Sequence, residues 1–265
     1  DRIEEAKPVR KLALQPRGVH VHTLELSSPA ELEIKIEQLL KSRQFRAIVI
    51  SHVSRIDGRI FPIERIYRLT QSYQTLLIVD GAQAVGHIPV SFYDWQPDAY
   101  FFPGHKWCTG PMGKGALILG KPFAERDENN DEEGGKTTQP LWADFELGTQ
   151  NIGLIAGFAK ACTFKQQDGL KTATLESLRE EVRRALSETS GLKFLEWEGA
   201  HSPGIFSFTC LDKQTESHLQ SKFHNIAWKI FPLPKDLKRT GIRVSWSSDI
   251  PKRDLESVLT LFQNI

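Results

Sequence analysis

Through its first 120 residues the chain alternates helical periodicity with short aliphatic runs. Ser28-Pro29-Ala30-Glu31 is a well-formed helix start, with serine as N-cap, proline at the first helical position and glutamate at N3. Leu32, Ile36, Leu39 and Leu40 then recur on one face. Ala47-Ile48-Val49-Ile50-Ser51 reads as a strand, and Pro62 opens a helix in which Ile63, Ile66, Leu69 and Tyr73 keep the period. Residues 76–79 and 115–119 read as further strands. Such near-continuous β-branched and aliphatic runs suit an α/β sheet covered on both faces by helices. In that arrangement active groups lie beyond the carboxyl ends of the strands.

The pattern changes after about residue 165. Leu175, Leu178, Val182, Ala185 and Leu186 mark an amphipathic helix. Short strands are predicted at 204–209, 226–230 and 242–245, then a last helix from near Pro251 with Leu255, Val258, Leu259 and Phe262 on its buried side. The expectation is a large domain over residues 1–168 and a small C-terminal α+β domain over 169–265.

Charged residues at 25% and hydrophobic ones at 40% are an ordinary soluble balance, and a net charge of +1 gives no reason to expect a nucleic-acid partner. No apolar stretch reaches the roughly 20 residues that span a bilayer, so no membrane partner is expected. The charged run from Glu125 to Glu133, followed by Gly134-Gly135, reads as an exposed loop. Cys108, Cys162 and Cys210 show neither metal-ligand nor disulfide spacing, which favours a reducing compartment and a cytoplasmic location. The chain opens on Asp1-Arg2-Ile3 without methionine, as if its beginning, with any targeting segment, were absent.

The candidate chemistry centres on Lys106, in Phe101-Phe102-Pro103-Gly104-His105-Lys106-Trp107, just ahead of Gly110, Gly113 and Gly115. Upstream, the run Leu76-Leu77-Ile78-Val79 ends in Asp80-Gly81-Ala82-Gln83. A strand ending in a carboxylate, another ending in a lysine, and glycines between them suggest pyridoxal phosphate. That cofactor needs an amine for its imine, an anion at its ring nitrogen, a group over its ring face and donors for its phosphate. Lys106 can supply the amine and Asp80 the anion; Gln83 can donate to the ring oxygen, and His105 can contact phosphate. Asp80 can equally cap its own turn, and Cys108 can be a small buried residue.

Taken together the segments resemble the class V aminotransferase family, fold-type I pyridoxal phosphate enzymes. They are Ser51-His52-Val53-Ser54 with Gly58, residues 79–86, Gly104-His105-Lys106-Trp107 with Gly110-Pro111 and Gly113, residues 145–151, and Gly241-Ile242-Arg243-Val244-Ser245. The resemblance implies a three-layer αβα large domain with a small α+β domain. It implies Lys106 as the cofactor's lysine, Asp80 at its ring nitrogen, and Gln83, His105 and His52 around it. Thr149 would reach phosphate across a homodimer with shared active sites, and Arg243 would hold an amino-acid substrate's carboxylate.

Two departures stand out. Relatives have about a hundred further residues ahead of this sequence. They also place threonine where Arg55-Ile56-Asp57-Gly58 has aspartate, and Asp57 would repel an anion unless Arg55 or a similar cation compensates. The wording is closest to the branch of carbon–sulfur lyases and epimerase-like proteins. The leading expectation is therefore β-elimination on cysteine, cystine or a related amino acid, giving pyruvate and ammonia. A class V aminotransferase or epimerase, a cysteine desulfurase, and a non-catalytic scaffold of the same fold are the alternatives.

Overall fold

Strands that are aliphatic at nearly every position pack best side by side with helical crossovers between them. The computed structural model describes residues 20–24, 26, 31–121, 149–195, 198–222, 229–232, 240–247, 253, 256–257 and 259–260. In it β1 (Ala47–Ser51), β2 (Leu76–Asp80) and β3 (Ala99–Pro103) pair in parallel, and β4 (Gly115–Leu119) closes the edge antiparallel to β3. Helices α1 (Glu31–Ser42) and α2 (Ile63–Gln71) lie on one face, with the short α3 (Phe92–Trp95) leading into β3. Ile50, Leu77, Val79 and Tyr100 alternate onto that face and bury against Leu32, Ile36 and Leu40 of α1 and Ile63 and Ile66 of α2. Among the described residues, Val49, Phe101 and Leu117 of the opposite face are exposed.

The strand leading to Lys106 stops at Pro103, so the lysine sits in a turn three residues past the strand rather than at its end. Helix α4 (Ile152–Asp168) is capped by the Asn151 side chain, which accepts from the Leu154 amide at 3.1 Å. It packs on the lysine turn through Phe158. A Cβ added at Gly104 would stand 2.4 Å from the Phe158 ring.

The second sheet is antiparallel, in the order β5-β6-β8-β7, from β5 (Leu192–Leu195), β6 (Ile205–Cys210), β7 (Lys229–Pro232) and β8 (Thr240–Ser245). Phe206, Phe208, Ile242 and Val244 bury against Leu175, Leu178, Val182 and Leu186 of α5 (Thr172–Glu188). A smaller cluster of Val53, Ala84, Ile88 and Ile205 joins the two sheets. The predicted helix start at 28–30, the charged run 125–133, residues 145–148 and 226–228, and Leu255, Val258 and Phe262 lie outside the described residues.

Candidate active site

Because β1, β2 and β3 are parallel, the residues that follow each of them gather at one edge. His52 follows β1, Asp80 ends β2, and the lysine turn follows β3. Asp80 is half-buried, and its Oδ1 accepts from the Ala82 amide at 2.8 Å. The turn cap expected as the simpler role of Asp80 is thus present, and it uses one of about four acceptor sites on the carboxylate. Gly81 has no room for a side chain: a Cβ there would stand 2.0 Å from the Tyr100 ring. Burial and the neighbouring Asp80 carboxylate together hold the Tyr100 phenol well above its usual range.

The amide of Gln83 joins the two loops. Its Oε1 accepts from Trp107 Nε1 at 2.8 Å. An indole can only donate, so the amide oxygen is turned to Trp107 and the NH2 is the end left to donate elsewhere. Trp107 adjoins Lys106 and stacks on His87, with ring centroids 3.7 Å apart at 26°. His87 Nε2 accepts from the Gly204 amide at 3.0 Å, which puts the proton of the neutral ring on Nδ1, 3.3 Å from the Gln83 carbonyl oxygen. Burial pushes the His87 imidazole down to about 4, consistent with a neutral ring. Gly86 makes the approach possible with φ of 81°, since a Cβ there would lie 2.7 Å from the Trp107 carbonyl oxygen.

His52 lies beneath this edge, 2% exposed, with Nδ1 2.8 Å from the Tyr100 hydroxyl and its ring edge-on to Trp95. Burial lowers its imidazole to about 4. His52 therefore supports the strand ends from the core and does not share the exposed surface of His105 and Lys106. Thr149 is exposed just ahead of α4, and the next residue, Gln150, accepts from Lys114 Nζ at 2.5 Å, which ties this segment to the base of the lysine turn.

Arg243, on β8, approaches from the second sheet, and its Nη1 donates to the Arg55 carbonyl at 2.8 Å. The loop after β1 settles the question posed by Asp57. Its cation is Arg59 rather than Arg55: Arg59 Nη2 stands 2.8 Å from Asp57 Oδ2, with both side chains buried. Cys108 donates to the Val85 carbonyl at 3.5 Å, and Cys210 is part of the second core. Burial pushes both thiols up to about 11, so neither is a ready thiolate near neutral pH.

The sequence singles out His52, Asp80, Gln83, His105, Lys106, Thr149 and Arg243 but gives no role to Trp107, His87 or Tyr100. Trp107 stood inside a quoted motif. His87 follows Gln83 by four residues, the spacing of one helical turn, and was the only available local signal.

A model of the family described as aminotransferase class-V matches residues 6–228. A probable cysteine desulfurase of Pyrococcus abyssi is 28% identical over 218 residues, covering 76% of this chain and 52% of the relative. The chain spans about half the length of the curated relatives it matches. Among solved structures, a cysteine desulfurase of Thermococcus onnurineus NA1 superposes over 100% of this chain and 70% of its own, with TM-score 0.77 and 20% identity. The cystine C–S lyase C-DES, in complex with its reaction product cysteine persulfide, gives TM-score 0.66 and 21% identity over 92% of this chain and 66% of its own. These likenesses show a shared fold, and the α/β expectation stands.

Proposed function

The chain belongs to the class V aminotransferase family, and from that premise we propose that it works on the carbon–sulfur bond of cysteine, cystine or a related amino acid by β-elimination. This is an enzyme family whose cofactor is pyridoxal phosphate. The donor set around Lys106 suits that cofactor: an amine, a carboxylate at the neighbouring strand end, and an amide whose oxygen is taken by Trp107, which leaves its NH2 to donate. The Gln83–Trp107 hydrogen bond carries this reading, because it ties the carboxylate loop to the lysine loop.

Bound pyridoxal phosphate supplies the electron sink for the charge left when a Cα proton departs. In the proposed reaction Asp80 would face the pyridine nitrogen and favour its protonated form, and Gln83 would donate to the ring oxygen. His105 and Thr149 would contact the phosphate, Thr149 from a second copy of the chain. Arg243 grips the substrate carboxylate with its planar fork. Lys106 Nζ would take the Cα proton and pass it to sulfur, which leaves with the bonding pair as the Cβ–S bond breaks. The released enamine takes up water and yields pyruvate and ammonia.

The relatives' names favour a second reading, desulfuration to alanine. That reaction needs a thiolate to accept sulfur, and the burial of Cys108 and Cys210 weighs against it. Supplying full-length holoenzyme with L-cystine and L-cysteine decides between them. Pyruvate and ammonia in equal amounts support elimination, whereas alanine with a persulfide on the protein overturns it. We also read residues 1–168 as the cofactor-binding domain and 169–265 as the smaller one. A cytoplasmic location is part of the proposal; among the described residues no helix is long and apolar enough to cross a membrane.

A further inference from the structure

We propose that the buried Asp57–Arg59 pair is a positioning device for Arg243: it fixes the backbone of residues 55–56, and that backbone fixes the guanidinium. The inference rests on reading Arg243 as the group that meets the substrate carboxylate.

The pair lies within the loop that follows β1. Arg59 Nη2 is 2.8 Å from Asp57 Oδ2, and the Arg59 amide donates to Asp57 Oδ1 at 3.2 Å. The two side chains are 6% and 4% exposed. Charges so deeply buried are tolerated only when paired, which penalises loop conformations that separate them. The same loop is held by the polypeptide around the second sheet at four points. The Ser202 amide donates to the Gly58 carbonyl at 2.7 Å, and the Ile60 amide donates to Ala200 at 2.8 Å. Ser207 Oγ donates to the Ile56 carbonyl, and Arg243 Nη1 donates to the Arg55 carbonyl at 2.8 Å.

Ser207 and Arg243 are direct cross-strand partners on β6 and β8. One opposed pair on the sheet therefore reads two successive carbonyls of the loop. Successive carbonyls can meet such a pair only in a narrow range of loop conformations, and the ion pair lies one residue beyond them. Gly58 completes the fit with φ of 76°, and a Cβ there would stand 2.4 Å from the Ile205 carbonyl oxygen. A planar guanidinium with one N–H fixed on a carbonyl has its orientation restricted before substrate arrives. Asp57 and Arg59 need not touch substrate to set that geometry.

The test is an absorbance titration of full-length holoenzyme with L-alanine and with ethylamine, which lacks the carboxylate. The neutral double variant Asp57→Asn with Arg59→Gln is expected to weaken L-alanine binding about tenfold and leave ethylamine unchanged. Ser207→Ala is expected to act in the same direction, by about threefold. Arg243→Lys calibrates the comparison. If it leaves the preference for L-alanine over ethylamine unchanged, the reading of Arg243 fails and the proposal falls with it. If it abolishes that preference while the double variant retains it, or weakens both amines alike, the proposal alone is overturned. Should circular dichroism show that the double variant is unfolded, Ser207→Ala decides by the same criterion.

Discussion

Replacing His87 with phenylalanine keeps an aromatic ring against Trp107 but removes both hydrogen bonds of the imidazole. The Gly204 amide is then left buried without its acceptor. That loss, with the lost bond to the Gln83 carbonyl, is expected to cost about 2–4 kcal/mol near neutral pH. The variant should also change the response to acid. His87 falls from the ordinary 6.5 to about 4 on folding, so between those values the unfolded chain binds the extra proton. Its contribution is complete above the unfolded value and is lost as pH falls toward 4. At pH 5 the loss is on the order of 2 kcal/mol for each such histidine. His52 shows the same depression, so the parent loses about twice that and the variant half as much. Denaturant unfolding of the full-length protein, followed by tryptophan fluorescence near pH 7.5 and near pH 5, measures both effects. Equal acid losses in parent and variant would refute the assignment of a neutral, buried His87.

Lys106→Ala should abolish borohydride-fixed cofactor at position 106 and lower turnover by about 10²–10⁴-fold or more; peptide mapping that finds the label on another lysine would contradict the site. Trp107→Phe retains the stack on His87 but releases the Gln83 amide, and fluorescence titration with pyridoxal phosphate should show affinity about two- to tenfold weaker. Gly81→Ala drives a methyl into the Tyr100 ring and should cost about 1–3 kcal/mol, read as a lower melting temperature.

Local chemistry made β1, β2 and β4 of the first sheet legible, whereas Ala99–Pro103 drew no bounds of its own from the sequence. Ala47–Ser51 is a strand over the residues its aliphatic run marks, and the end of the run from Leu76 places Asp80 at a strand terminus. Helix α4 was not read, because Ile152, Leu154, Ile155, Ala156, Phe158 and Ala159 give it no polar face from which to recognise a helical period. Its apolar residues are partly exposed, with Ile152 at 79% and Phe164 at 56%. The site followed the same division. Asp80, Gln83 and Lys106 could be found from motifs. The ties from Gly204 to His87, Ser207 to Ile56 and Arg243 to Arg55 span 117, 151 and 188 residues, and neither propensity nor spacing encodes such contacts. The partner of Asp57 was left open between Arg55 and a similar cation for a related reason: Arg55 and Arg59 are equally near in sequence, and only the fold of the loop pairs Asp57 with the second.

The bonds from Ser207 and Arg243 end on main-chain oxygen atoms, which every amino acid supplies. The side chains at 55 and 56 can therefore be exchanged without removing the acceptors themselves. Those two letters can be varied while the seam between the sheets stays closed. Natural divergence at these positions has the same latitude.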